Sequence, residues 1–270
     1  MSTNIETAAL QFDEVSKRYR KHSALNSISF AIAPGQCAVI AGINGAGKTT
    51  LLRCLLSFTQ PDQGTIRIAG IDSRLPASRH ALAFLPEQFV PPQHLTGHEA
   101  LQWLAGLHGQ TWLREQTRAV LEEFSLPPEA QNRALRHFSK GMTQQLGLAA
   151  VLASDKRILV LDEPMSGLDA LARRHVVSAL LKARAQGRTI VLTSHSLAEV
   201  AALCDVLVVI EQGALRFCGA PKQLCELSGA AELEDAFVRC VTQVPDQESM
   251  FPYVSQDAPH HMAKYEAELR

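Results

Sequence analysis

A glycine-rich loop between an apolar segment and a helix-like segment constrains this chain more than any other feature. Residues 42–49 follow the pattern G-x-x-x-x-G-K-[ST]. The continuous apolar run Cys37–Ala41 before them predicts a strand that is buried on both faces of a parallel sheet. Residues 49–58 after them predict a helix. The sequence therefore predicts an α/β fold in which a tight loop joins a central strand to a helix.

The chemistry of this loop is suited to phosphates. Its glycines let the backbone turn so that successive N–H groups point inward, and the positive end of the following helix attracts anions. Lys48 is expected to reach the β- and γ-phosphate oxygens, Thr49 to offer its hydroxyl to Mg²⁺, and Thr50 to contact a further phosphate. We therefore expect a nucleotide to be held by Gly42, Ile43, Asn44, Gly45, Ala46, Gly47, Lys48, Thr49 and Thr50.

Two acidic residues end the apolar strand that is predicted at Ile158–Leu161. They lie at the carboxyl end of a central strand, which is where open α/β sheets bind their ligands. Asp162 is expected to hold Mg²⁺ through a bound water, and Glu163 to polarise an attacking water as general base. The loop and these acids together predict binding and hydrolysis of a nucleotide.

The distribution of periodic segments predicts the domain organisation. Residues 8–32 alternate apolar and polar side chains as antiparallel strands do, whereas residues 91–150 follow helical spacing and predict an inserted helical subdomain. Strands and helices alternate after it, which favours a mostly parallel core sheet. We expect one domain over residues 8–240 and a polar extension over residues 241–270.

Composition excludes several classes of protein. Lys plus Arg number 26 and Asp plus Glu number 27, giving a net charge of −1, which argues against a nucleic-acid-binding chain. No apolar run reaches the about 18–20 residues of a membrane helix, and the first residues lack a signal pattern. The six scattered cysteines have no C-x-x-C pair, so we expect no disulfide or zinc framework. We expect a soluble, cytoplasmic protein that binds no nucleic acid.

Four further segments resemble the ATP-binding subunit of ABC transporters over nearly the whole chain to about residue 240. Residues 138–142, Phe-Ser-Lys-Gly-Met, are similar to the signature motif of that family, L-S-G-G-Q. Residues 166–169 resemble its D-loop, His195 its switch histidine, and Tyr19 the aromatic residue that stacks on adenine. The resemblance implies the fold of a P-loop NTPase cassette, with a mostly parallel core sheet, an antiparallel β subdomain and an inserted helical subdomain.

The resemblance also implies a mechanism that one chain cannot complete. In this family two cassettes, here expected to form a homodimer, pair head to tail and bury two ATP molecules between them. Ser139, Lys140 and Gly141 would then contact the ATP of the partner subunit, and Asp169 would signal across the interface. His195 would contact the γ-phosphate and hold Glu163 and the attacking water in register. The implied cofactors are ATP and Mg²⁺.

The sequence departs from the family pattern in two places. The signature has Lys140 in place of the first glycine and Met142 in place of glutamine. Lysine favours phosphate electrostatically but lacks the backbone freedom of glycine. The second departure is at the Q-loop, where Glu87 holds the expected position of the glutamine and Gln88 follows it. The sequence does not decide whether Glu87 or Gln88 approaches Mg²⁺.

The leading functional hypothesis is an ATPase that powers a membrane transporter whose transmembrane permease subunits are separate chains. Residues 89–92 are the expected docking edge, and residues 232–237 resemble an L-E-x-x-F ending that favours exporters. Such a subunit would be cytoplasmic and peripheral on the inner face of the membrane. The alternative is a soluble single-cassette ABC ATPase in a non-transport assembly, such as iron–sulfur cluster biogenesis.

Two tryptophans and one pair of histidines are not expected to take part in the nucleotide site. Trp103 and Trp112 lie among leucines at helical spacing, so we expect core positions in preference to packing against a membrane partner. His260 and His261 in the extension are expected to be a solvated pair rather than a metal site.

Overall fold

The computed structural model describes residues 8–20, 22–107 and 109–242, and within these ranges the chain forms two sheets and eight α-helices. The strands are β1 (Leu10–Tyr19), β2 (His22–Ile32), β3 (Cys37–Ala41), β4 (Gln63–Ile68), β5 (Ile71–Asp72), β6 (Leu82–Leu85), β7 (Ile158–Leu161), β8 (Thr189–Ser194), β9 (Val206–Glu211) and β10 (Ala214–Gly219). The helices are α1 (Lys48–Leu55), α2 (Gly97–Leu107), α3 (Arg114–Glu123), α4 (Lys140–Ala153), α5 (Ala170–Ala185), α6 (Leu197–Val200), α7 (Pro221–Ser228) and α8 (Leu233–Thr242). The predicted extension lies outside the described residues, except for the end of α8, and so do His260 and His261.

The core is a six-stranded sheet in the order β10-β9-β3-β8-β7-β6. Strands β9, β3, β8, β7 and β6 are mutually parallel, and only β10 at the edge is antiparallel to its neighbour. All five residues of β3 are buried, because alternate side chains enter the cores on opposite faces of the sheet. The predicted α/β class and mostly parallel sheet are confirmed.

The antiparallel sheet covers one face of this core. It has four strands in the order β2-β1-β4-β5, and β1 pairs with both β2 and β4. Phe12 and Phe30 stack across β1 and β2 with 4.3 Å between ring centroids. They share a buried apolar cluster with Leu51 and Leu55 of α1, so the helix after the glycine loop is held between the two sheets.

The helical segment comprises α2, α3 and the start of α4. The rest of α4 packs against the core sheet at β6. Gly147 of α4 packs directly on Leu85 and Phe89 at the end of β6. Trp112 is buried and donates its indole N–H to Thr117 at 2.8 Å, as a core tryptophan should. Trp103 is 43% exposed on α2, so the core prediction is wrong for this residue. Helical spacing alone does not say which face of a helix meets the core.

The six cysteines are free thiols, and four of them are buried. Burial raises the pKa of Cys37 to about 12 and that of Cys54 to about 11. Both side chains behave as small apolar groups in the core. Among the described residues, no helix is both long and apolar enough to cross a membrane.

Candidate nucleotide site

Four loops converge at one edge of the core sheet because their strands are parallel neighbours. Ala41 of β3 lies opposite Ser194 of β8, and Leu161 of β7 lies opposite Leu192 of β8 and Leu85 of β6. The carboxyl ends of β3, β8, β7 and β6 therefore meet. The glycine loop, the acidic pair, the histidine and Glu87 follow these four ends.

The glycine loop joins β3 to α1, and its sharpest requirement falls on Gly47. This residue precedes α1 with a φ of 114°, which L-residues with side chains rarely adopt. A Cβ at Gly47 would also lie 2.6 Å from the carbonyl oxygen of Ala24. The loop thus passes against the β2 backbone, and a side chain at this position would displace the first turn of α1.

The side chain of Lys48 turns back into the loop from the first residue of α1. It is buried, and its Nζ donates to the carbonyl oxygen of Gly42 at 2.6 Å and approaches that of Ile43 at 3.4 Å. These acceptors hold the ammonium at the centre of the loop. An incoming phosphate would find the charge already in place.

A cavity of about 620 Å³ opens beside the loop and unites most of the predicted residues. The predicted residues that line it are Tyr19, Gly42, Ile43, Asn44, Gly45, Ala46, Gly47, Lys48, Thr49, Thr50, Glu87, Asp162, Glu163 and His195. Four further residues line it that were not predicted as nucleotide contacts, of which Ser166 belongs to the predicted D-loop and Phe237 to the L-E-x-x-F ending: His22, Ala24, Ser166 and Phe237. The predicted residues outside its lining are Gln88, Ser139, Lys140, Gly141 and Asp169. The structure thus places Glu87, and not Gln88, at the cavity.

Asp162 is a buried carboxylate at the end of β7. It accepts a hydrogen bond from the hydroxyl of Thr193 at 2.7 Å. Burial raises the pKa of Asp162, the bond from Thr193 lowers it, and the Glu87 carboxylate raises it. A divalent cation would relieve this unfavourable burial of negative charge. Asp162, Glu87 and the Thr49 hydroxyl line the same cavity, and oxygen donors of this kind fit Mg²⁺.

Glu163 and His195 form a contact across the cavity, with 2.8 Å between Glu163 Oε2 and His195 Nδ1. Glu163 has a φ of 46°, a conformation uncommon for a residue with a side chain. Its backbone N–H donates to Thr193 Oγ1 at 2.8 Å, which helps to hold that conformation. The Glu163 carboxylate therefore contacts the histidine from a backbone held in an uncommon conformation.

Thr193 is a positioning residue that the sequence analysis did not single out. Its fully buried hydroxyl donates to Asp162 and accepts from the backbone of Glu163, so one atom fixes both acids. The relation depends on β8 lying beside β7 in register, with Val160 opposite Val191. A signal for it in the sequence would have been a hydroxyl residue two positions before the histidine.

The aromatic end of the cavity lies at the β1–β2 hairpin. Tyr19 of β1 lies opposite His22 of β2 in the strand register, and the Lys17 ammonium lies 5.7 Å from the centroid of the Tyr19 ring. Lys17 is itself held by Asp62 at 2.8 Å, and Asp62 also accepts the backbone N–H of Arg18 at 2.7 Å. The Lys17–Asp62 pair therefore supports Tyr19.

Phe237 lines the cavity from helix α8. This helix packs on α6, which follows His195, and the backbone N–H of Ala198 lies 3.4 Å from Glu234 Oε1. Residues of the predicted L-E-x-x-F segment thus contact the helix that follows the histidine.

The residues of the predicted signature lie at the start of α4, away from the cavity lining. Ser139 caps this helix by accepting the backbone N–H of Met142 at 3.1 Å. Asp169 caps α5 in the same way, accepting the N–H of Ala172 at 2.8 Å. The start of α4 packs on the loop that precedes α5, since a Cβ on Gly141 would lie 3.0 Å from the carbonyl oxygen of Gly167.

Comparison with known proteins decides the family. A family model described as ABC transporter matches residues 25–166. The Nod factor export ATP-binding protein I of Paraburkholderia xenovorans is 34% identical across 97% of this chain and 92% of its own length. The protein of the same name from Rhizobium etli is 34% identical across 84% of this chain and 73% of its own. The chain belongs to the ABC transporter family.

Solved ABC structures share the fold. The structure of an ATP-binding subunit of an ABC transporter has a TM-score of 0.76 at 27% identity, covering 86% of this chain and 99% of that one. A dimeric ATP-binding cassette in a post-hydrolysis state with ADP and Pi has a TM-score of 0.72 at 21% identity, covering 78% and 98%. The second likeness concerns the fold alone. The predicted resemblance to ABC ATP-binding subunits is confirmed, while the roles of individual site residues stay predictions.

Proposed function

We propose that this ABC subunit binds and hydrolyses ATP to drive an exporter whose transmembrane permeases are separate chains. The observation that carries the proposal is the cavity in which the Lys48 loop, the buried Asp162 and the Glu163–His195 contact face one another. These groups supply phosphate binding, cation binding and base chemistry within one site. The relatives named for Nod factor export support the direction of transport.

ATP would be held along the length of the cavity. Tyr19 would stack on the base, and the loop N–H groups with Lys48 would bind the phosphates. Thr49 and Asp162 would hold Mg²⁺, which supplies charge neutralisation to the phosphates when it is bound, and Glu87 would take the Q-loop position beside it. The Lys48 ammonium would exchange its contact with the Gly42 carbonyl for a phosphate oxygen.

Hydrolysis would depend on Glu163 as general base toward the attacking water. Thr193 fixes the Glu163 backbone, and His195 contacts its carboxylate, so the base needs little rearrangement before the reaction. His195 would also contact the γ-phosphate. Because the His195 side chain is 67% exposed, it is accessible to a second subunit that closes over the cavity.

The position of the signature supports a head-to-tail homodimer. Ser139, Lys140 and Gly141 do not line their own cavity, although Ser139 begins a helix of 14 residues whose N-terminus favours anions. In the dimer these residues would contact the ATP of the partner subunit. Nucleotide binding would then close the pair and hydrolysis would reopen it.

Exposed apolar side chains outside the cavity lining support docking to a membrane partner. Val90 is 76% exposed just after the Q-loop, and Phe58, packed edge-on against Phe84, is 67% exposed. Trp103 of α2 adds exposed aromatic surface on the helical segment. Permease segments would cover these side chains, which would place the subunit at the inner face of the cell membrane.

The proposal is tested first by hydrolysis. The purified chain should hydrolyse ATP in the presence of Mg²⁺, and Glu163→Gln should reduce turnover by about two orders of magnitude or more while ATP binding persists. An unchanged turnover rate in this variant would show that Glu163 is not the general base.

A second experiment tests the partner. Affinity purification of the tagged chain from detergent-solubilised membranes should recover a protein with several membrane-spanning helices, together with ATPase activity. A matched sample carrying Val90→Glu should lose this protein and keep its ATPase activity. Recovery of a scaffold protein without any membrane protein would favour the alternative, a non-transport assembly.

A further inference from the structure

The side chain of Lys140 lies across the loop that follows Glu163. Its Nζ is 3.4 Å from Ser166 Oγ. A Cβ on Gly167 would lie 3.2 to 3.5 Å from three carbons of the lysine stem, so the methylene groups of Lys140 pack on the Gly167 backbone. The stem and the ammonium thus contact two consecutive residues of the D-loop.

The charge of Lys140 has no carboxylate partner. Among the residues that the structure describes, the salt bridges join other cations, and Lys140 takes part in none of them. Its contact with a neutral hydroxyl at 3.4 Å is weak, and the exposed side chain is able to change partners. A phosphate would be a stronger acceptor for the ammonium than a serine hydroxyl.

The two ends of this contact belong to different nucleotide sites in the proposed dimer. Ser166 lines the cavity of its own chain, and its backbone N–H donates to the Glu163 carbonyl at 3.0 Å. Lys140 follows Ser139, which would face the ATP of the partner subunit. A direct intrachain contact therefore connects the residue that would serve one ATP with a residue that lines the other site.

We propose that Lys140 is a positioning residue that couples the two ATP sites, an inference that rests on the head-to-tail dimer of the proposed function. The ammonium leaves Ser166 when the γ-phosphate of the partner's ATP attracts it. Ser166 then loses the contact that held it at the edge of its own cavity. A glycine at position 140, as in the family pattern, has no side chain with which to make this link.

The coupling is measured by the ATP dependence of hydrolysis in the homodimer. The unmodified protein should show a Hill coefficient above 1. Lys140→Met keeps the stem but loses the charge, so it should move the coefficient toward 1 and lower turnover by about two- to fivefold. Ser166→Ala should also move the Hill coefficient toward 1. Lys140→Arg keeps the positive charge, so it should retain the cooperativity of the unmodified protein. ATP affinity of the dilute monomer and thermal unfolding should be unchanged in Lys140→Met, which excludes a general structural effect.

Mixed dimers test whether the link lies within one chain. In the first dimer one chain carries both Lys140→Met and Ser166→Ala and the other is unmodified, so one link remains intact. In the second dimer each chain carries one substitution, so both links are broken. The first dimer should keep residual cooperativity and the second should lose it.

The outcomes separate the inference from the function on which it rests. If the protein hydrolyses ATP cooperatively but the two mixed dimers show equal cooperativity, the proposed role of Lys140 is wrong and the proposed function stands. A protein that neither dimerises nor hydrolyses ATP would overturn the proposed function and this inference together.

Discussion

Replacing Thr193 by valine removes one hydroxyl from the base of the cavity and leaves the shape of the side chain almost unchanged. That hydroxyl is fully buried and has two partners, the carboxylate of Asp162 at 2.7 Å and the backbone N–H of Glu163 at 2.8 Å. Both partners lose their hydrogen bond in the variant. Thr193→Val therefore isolates the polar contribution of this position from its packing.

The magnitude follows from these two bonds. The bond to a charged acceptor contributes about 1.5–3 kcal/mol and the bond from a partly buried N–H about 0.5–1.5 kcal/mol. We expect the free energy of unfolding to fall by about 2–4 kcal/mol at neutral pH. Because Glu163 also loses the contact that holds its strained backbone, turnover should fall by about ten- to a hundredfold. ATP binding by the Lys48 loop should persist.

The loss of stability should depend on pH with a defined sign. Burial raises the pKa of Asp162, and the Thr193 bond opposes this rise, so the valine variant raises the pKa further. The unfolded chain then binds fewer protons than the folded chain above the ordinary pKa of an aspartate. Stability consequently falls as pH rises. The deficit of the variant should be larger at pH 8 than at pH 5.

Denaturant titration at several pH values and steady-state ATPase measurements provide the readouts. Thr193→Ser is the matched control because it keeps the hydroxyl, and it should retain most of the activity of the parent protein. A valine variant within about 0.5 kcal/mol of the parent protein at pH 8, with unchanged turnover, would refute the assignment of Thr193.

Three further outcomes are expected. Lys48→Ala should abolish ATP binding at micromolar nucleotide, measured by equilibrium binding of a fluorescent ATP analogue, and retained binding would contradict the phosphate loop. Asp162→Asn should stabilise the metal-free protein at neutral pH and less so at low pH in denaturant titrations, because the raised pKa marks an unfavourably buried charge; an equal effect at all pH values would exclude this origin. Lys17→Met should weaken ATP about two- to fivefold but leave the affinity for inorganic tripolyphosphate unchanged, and the effect should vanish in a Tyr19→Ala background.

The sequence was informative where function depends on consecutive residues. The glycine loop and the Asp162–Glu163 pair carry their chemistry within a few positions, beside strands whose apolar character is unmistakable. Their positions at one cavity could be predicted there, and their chemistry stays a prediction. The choice between Glu87 and Gln88 could not, since it depends on how the chain turns after β6.

Residues that reach the cavity from distant segments were missed for a related reason. Phe237 enters it only through tertiary packing, and Thr193 matters because β8 lies in register beside β7. Trp103 shows the converse error, in which periodicity predicted burial and the helix presents the residue to solvent. A single sequence records neither strand order nor the rotation of a helix against its neighbours.

The inward-turned ammonium of Lys48 has a consequence for selectivity among anions. Carbonyl oxygens at 2.6 and 3.4 Å face two of its three N–H groups, so a ligand that engages the ammonium fully has to displace these backbone contacts. We expect a triphosphate, which brings several negative oxygens at once, to make that exchange more readily than a small monovalent anion. The loop of the proposed nucleotide site should therefore favour polyphosphates over simple salts.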